Sequence, residues 1–316
     1  MRKAISNKSI LRALSLMLVL LLSVSMFGSG VSAETENPFK GISVTLGSDL
    51  TVNFSAEVAD TEGAAMTFRV NDTTKTVPVT QARHIEGNLY VFSCTIAPTR
   101  MADTIEAVLS DSGNTYQTST SVHAYAQKLL SSKQWDKLAA ADMMVATLNY
   151  GAATQNYFGY NTENLANDGY ERAATAVVPE TDAVAQVSGS ADGITFYGAS
   201  LLLESRIALR FYFNVSGDIK DYTFSTGKEP VYKNGRYFVE IPNINPQDYA
   251  KDITLTVNDT LSISYSPMYY ISRMYNKTEN AKLKTLLHEL YQYHLTAVDY
   301  LADPYGNDMD NLVVAQ

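Results

Sequence analysis

Between residues 50 and 58 the chain alternates apolar and polar at every step, with Leu50, Val52, Phe54, Ala56 and Val58 set against Thr51, Asn53, Ser55 and Glu57. Residues 207–215 repeat the pattern, with Ile207, Leu209, Phe211, Phe213 and Val215 on one side and Arg210, Tyr212 and Asn214 on the other. Period two sends successive side chains to opposite faces, which marks a strand with one buried face. Shorter runs rich in Val, Ile, Thr and aromatics follow at 66–70, 89–96 and 104–109, and again at 222–226, 236–241 and 253–257. Gly, Asn and Asp punctuate them at intervals suited to a β-sandwich.

The pattern then turns helical. Ser131-Ser132-Lys133-Gln134 has the form of a capping box and opens a predicted helix to about Phe158, where Gly159 is placed to stop it. Leu138, Ala141, Met144, Val145, Leu148 and Tyr150 spread around nearly all of its sides, so it is expected to be buried on several. A counterpart begins between Asn276 and Glu279 and runs to Ala302, before Asp303-Pro304.

The two series are copies of one plan. Gly41-Ile42-Ser43 answers to Gly193-Ile194-Thr195, and Met66-Thr67-Phe68 to Tyr222-Thr223-Phe224. Ile96, Pro98, Ala102, Ile105 and Asp111 answer to Ile244, Pro246, Ala250, Ile253 and Asp259. An internal repeat of this kind predicts two similar domains in tandem. Small residues, Asn167-Asp168-Gly169 and Pro179 mark the stretch between them as a linker. The expected layout is a first sandwich with helices over 34–166, a linker over 167–189, a second over 190–303 and a tail over 304–316.

Residues 1–33 read as a cleavable export signal. Arg2, Lys3, Lys8 and Arg12 precede an apolar run over 14–26, and Val31-Ser32-Ala33 offers the small residues of a cleavage site before Glu34. The run is short for a membrane span, which needs about 20 apolar residues. Cleavage leaves 20 bases against 33 acids, a net charge of −13. Such a surface disfavours nucleic acid and anionic membranes, and no span is expected once the signal is gone. The single Cys94 allows no intramolecular disulfide and keeps step with Tyr90, Phe92 and Ile96, as a buried small hydrophobe would.

Thr95-Ile96-Ala97-Pro98, Met101-Ala102-Asp103-Thr104-Ile105, Ser121-Val122-His123-Ala124-Tyr125-Ala126, and the helical stretch from Leu148-Asn149-Tyr150-Gly151-Ala152-Ala153 to Asn161 together resemble a module of secreted and surface proteins of clostridia-type Gram-positive bacteria. The resemblance covers roughly residues 41–166; the second half follows it in outline, with Leu295-Thr296-Ala297-Val298 in place of Tyr150-Gly151-Ala152-Ala153. It implies Ig-like domains, an extracellular or cell-surface location and an accessory, non-catalytic role, and it carries over no functional residue. The fold class expected is therefore tandem Ig-like β-sandwiches, each followed by a C-terminal helical hairpin, α+β overall.

Motifs for chemistry are weak. His288-Glu289 on a helix imitates a zinc-protease motif, but position 292 is Gln, and His294 lies six residues on, on an apolar stripe. No Gly-x-Ser-x-Gly elbow or phosphate-binding glycine loop occurs. Asp303, Asn307, Asp308 and Asp310 depart from the calcium-loop spacing and read as an acidic tail. No catalytic residue, metal ligand or cofactor is assigned. With 33 acids an extracellular hydrolase using dispersed carboxylates stays as the alternative. The favoured reading is a non-catalytic glycan- or protein-binding module, or a spacer. Its candidate ligand-binding residues are Arg210, Tyr212 and Asn214, because the outward face of 51–57 offers neither a ring nor a base.

Overall fold

A computed structural model describes residues 20–22, 37–131 and 139–302. The expected signal apart from Leu20–Leu22, the capping residues Ser132 to Gln134 and the tail from Asp303 lie outside the described residues. The fold is α+β, with four antiparallel sheets and four helices among the described residues, and its contacts divide the chain into two compact units, Met1–Asp136 and Lys137–Gln316.

The first unit contains β1 (Leu20–Leu22), β2 (Phe39–Leu46), β3 (Leu50–Glu57), β4 (Ala65–Val70), β5 (Thr73–Pro78), β6 (Arg83–Glu86), β7 (Leu89–Ile96), β8 (Ile105–Asp111), β9 (Asn114–Thr120) and helix α1 (Val122–Ser131). One sheet has the order β1-β2-β3-β7-β6 and the other β5-β4-β8-β9. Alternation on β3 works as the sequence predicts: Val52, Phe54 and Ala56 are fully buried. The Phe54 ring meets that of Phe68 from the other sheet at 5.4 Å, so the two apolar faces share a core. Cys94 is buried in this core, and burial pushes its thiol up to about 11, with Lys75 pulling weakly the other way. A thiol held protonated at neutral pH is a poor nucleophile.

The second unit begins with α2 (Ala139–Phe158), followed by β10 (Gln186–Gly189), β11 (Ile194–Leu202), β12 (Ala208–Val215), β13 (Val231–Lys233), β14 (Arg236–Ile241), β15 (Ile253–Val257), β16 (Leu261–Tyr265), α3 (Pro267–Lys277) and α4 (Ala281–Ala302). Its sheets have the orders β11-β12-β14-β13 and β10-β16-β15. On β12, Leu209, Phe211 and Phe213 are fully buried. Residues 222–226, expected as a strand, make only an isolated bridge, Phe224 to Val257. The 3₁₀ turn Ile219–Asp221 leads into that run and a turn closed from Gly227 N–H to Phe224 C=O ends it, leaving too little extended chain for a ladder.

Helix α2 is buried on most of its surface, as its all-round apolar pattern requires, and it ends at Phe158 with Gly159 at φ +68°. It packs along α4, where the rings of Tyr150 and Tyr293 stack at 5.7 Å. Contacts therefore group α2 with the second unit rather than with the strands that precede it in sequence. The expected linker stretch is tied to the same helices. Gln155 accepts from Ala166 N–H and donates to the Asn164 carbonyl, and Arg172 holds Asp142 on α2 and Gln292 on α4. Helix α3 is capped by Ser266, whose hydroxyl accepts from Tyr269 N–H, with Pro267 in the first turn.

His294 is a core residue. Its Nδ1 hydrogen-bonds the Pro246 carbonyl at 2.6 Å and its ring stacks on Tyr249. Burial lowers its pKa, against the opposing pull of the Pro246 carbonyl, Asp248 and Asp299. The folded state then binds the proton more weakly than the unfolded state, whose His titrates near 6.5. The stability this residue contributes is present above about pH 6.5 and is lost as pH falls through that value toward the lower folded pKa. The melting temperature should drop between about pH 7.5 and 5.5, and His294→Asn should flatten that part of the profile. An unchanged slope in the variant would assign the drop to other groups.

Candidate functional site

The outward face of β12 lies in a concave surface of 410 Å³, lined by residues of β11, β12, β14 and the β13–β14 hairpin. Three features of the chain build it. Antiparallel pairing sets Arg210 opposite Glu240 and Tyr212 opposite Phe238 across β12 and β14. A bulge between Phe196 and Gly198 puts Tyr197 into β11 as an extra residue, leaving Gly198 opposite Tyr212. A Cβ added at Gly198 would meet nothing within 4 Å, so the missing side chain is space that the cavity occupies. Finally, Lys233 and Arg236 face each other across the two-residue turn Asn234-Gly235, whose φ values of +52° and +81° fit a hairpin turn of the Asn-Gly kind.

The side chains form an aromatic floor with cations around it. Phe238 and Tyr212 meet at 5.6 Å, and the Tyr212 hydroxyl accepts from Ser200 Oγ at 3.1 Å. The Arg210 guanidinium lies 4.7 Å over the Phe238 ring and is held by Glu240 Oε2 at 2.8–2.9 Å. Arg206 takes the other oxygen of Glu240 at 2.7 Å. Desolvation would raise the Glu240 pKa, but the two guanidiniums outweigh it and hold the carboxyl below its ordinary value. On the far side the Arg236 guanidinium stacks 3.6 Å from the centroid of Tyr197, a ring that is 57% exposed.

Of the residues nominated from sequence, Arg210 and Tyr212 are brought together in this cavity and both are half-buried. Asn214 sits on the same face opposite Thr195, exposed, and outside the lining. Helix α3 approaches β11, and its Tyr270 lies close enough to Tyr212 and Tyr157 that both raise its pKa, which burial raises most. The helix thus borders the face and leaves the cavity open. Sequence reasoning missed Tyr197, Gly198, Lys233, Arg236 and Phe238. The alternation of Arg236, Phe238 and Glu240 beside an Asn-Gly turn was a readable signal for β14; the bulge that turns Tyr197 outward was not.

On β3 of the first unit the corresponding face carries small polar residues that bond to one another. There Asn53 is buried, donating to Thr45 Oγ1 at 2.8 Å and accepting from Ser93 Oγ at 2.7 Å. A second, more open depression of 510 Å³ runs along α2, past Asn149, Ala152, Ala153 and Asn156 to Arg172 and Glu289. Several of its polar groups are already engaged: Asn167 donates to Asn149 within the lining, while Arg172 pairs with Asp142 and Glu289 Oε1 with His288 Nδ1 beside it. Among the described residues no three His, Cys, Asp or Glu side chains converge as a metal site would need, and no helix is long and apolar enough to cross a membrane. Compared with known proteins, the chain matches no protein-family profile and no curated sequence.

Proposed function

We propose that the chain is an exported, non-catalytic recognition protein of the cell surface or its surroundings, and that the β11–β12–β14 cavity binds a glycan. The observation that carries this reading is the composition of the lining, with the exposed ring of Tyr197 and the half-buried ring of Tyr212 over a buried Phe238, three cations, hydroxyls and an amide but no carboxylate. Flat rings edged by hydrogen-bonding groups suit a sugar, whose apolar face stacks while its hydroxyls find polar partners. Hydrolysis of a glycosidic bond calls for two carboxyl groups across a cleft. The nearest acid, Glu240, is already engaged by Arg206 and Arg210.

The tandem plan expected from the internal repeat, Ig-like by the resemblance, fits the strand orders. Both β2-β3-β7-β6 and β11-β12-β14-β13 use strands at corresponding positions of the two copies. The 3₁₀ turns Pro98–Arg100 and Pro246–Asp248 also correspond. In this reading one copy keeps a face of small, mutually bonded polar residues, and the other has acquired a binding surface.

The test is a glycan array probed with the chain from Glu34 onward, beside Gly198→Leu. Gly198 has an ordinary φ and open space above it, so the leucine should fill the cavity and leave the melting temperature within a few degrees. Binding by the wild type that is lost in Gly198→Leu is the expected result. Equal binding by both, or none by either, would overturn the assignment of this cavity.

A further inference from the structure

Resting on that reading, we infer that the sugar bound at this cavity carries a carboxylate, as a hexuronate or sialate does, and that Arg236 receives it. The cavity is positive within a strongly acidic chain. Lys233, Arg210 and Arg236 all line it, and no acid does. Arg210 has a partner in Glu240, which it shares with Arg206. Arg236 has none: its one contact of note among the described residues is the Tyr197 ring, and its Nε is sealed from solvent without an acceptor. Lys233, directly across the hairpin from it, makes no ion pair among the described residues either.

Native structures seldom leave a buried donor without an acceptor. Two adjacent cations lacking counter-charges are a further cost that an anion would relieve. The geometry selects the kind of anion. The Arg236 guanidinium lies against the Tyr197 ring and lines the cavity, and a guanidinium carries an edge of parallel N–H donors. That edge matches the two oxygens of a planar carboxylate, with Lys233 adding a point charge beside it. The rings of Tyr197 and Tyr212 supply the apolar contact that a sugar bearing that carboxylate would use and a bare ion would not.

The experiment measures binding of the chain from Glu34 to three probes: polygalacturonate, a polymer of glucuronate alternating with N-acetylglucosamine, and sialyl-lactose. Each is paired with its carboxyl-reduced, neutral counterpart, and dextran sulfate serves as an anion without a carboxylate. At least one carboxylated probe should bind, more than tenfold tighter than its reduced counterpart and than dextran sulfate, and more weakly as salt rises. Arg236→Gln should weaken that binding at least tenfold and Lys233→Gln several-fold, with melting temperatures near the wild type, whereas Gly198→Leu abolishes it. A carboxylated probe bound no better than its reduced form, with Arg236→Gln without effect and Gly198→Leu still blocking, would overturn the carboxylate and leave glycan binding standing. Binding that follows dextran sulfate equally would reduce the site to a non-selective anion patch and overturn it as well. No binding to any probe, carboxylated or neutral, would overturn both readings.

Discussion

Phe211→Ala is expected to destabilise the second unit by about 3–5 kcal/mol, the range for removing a large buried ring, while Tyr212→Ala next to it costs about 1–2 kcal/mol. The contrast follows from the alternation of β12. Phe211 is fully buried and its ring meets Phe196 at 6.2 Å on the core side. Tyr212 is half-buried on the opposite side, where its loss removes a ring contact with Phe238 and the hydrogen bond from Ser200. Chemical denaturation of the two variants measures both costs directly. Glycan binding should order them the other way: per folded molecule, Phe211→Ala binds normally and Tyr212→Ala loses at least tenfold. A Tyr212→Ala loss as large as that of Phe211→Ala would mean that the outward face is a packing surface, and the binding assignment would fall with it.

Which side of β12 each residue faces was legible in the sequence, because a strand with one buried face declares which residues point away from the core. Arg210 and Tyr212 were found for this reason, and Asn214 was included with them although the cavity stops short of it. The rest of the lining depends on which strand lies beside which and in what register. Phe238 reaches Tyr212 because β14 pairs with β12 at that step, and Tyr197 joins because one bulge shifts β11. Neither is written in the local pattern of any one strand. The grouping of α2 was hidden for a similar reason. A helix apolar on all sides announces burial without naming what covers it, and here α4 and the 159–185 stretch do so. Small residues and a proline made residues 167–189 read as a linker. What fixes it is a set of polar tethers from residues far away in sequence.

Gln292 is the centre of those tethers, and Gln292→Ala should cost the second unit about 3–5 kcal/mol. The side chain is fully buried. Its Nε2 donates to the Ala176 carbonyl at 2.7 Å, and its Oε1 accepts from Ala176 N–H at 3.0 Å and from an Arg172 Nη at 2.8 Å. Truncation leaves two backbone groups of half-buried Ala176 and one guanidinium N–H without partners, at about 1–3 kcal/mol each before any compensation by water. Arg172 would keep its two bonds to Asp142, at 2.7 and 2.8 Å, but lose its link to α4. Position 292 is where a zinc-protease helix would need its second histidine; a glutamine there serves instead as a two-sided backbone mimic that joins a strand-like segment to a helix. Gln292→Leu preserves most of the volume, so it should be nearly as damaging if hydrogen bonding dominates and much milder if packing does. Trypsin offers a second readout. Arg172 is only 8% exposed in its side chain and should be cut slowly in the wild type. Both variants should release a fragment ending at Arg172 well before the strands are digested. If Gln292→Ala loses less than about 1 kcal/mol, or leaves Arg172 as protected as before, the tether is not what holds the 159–185 stretch against α4.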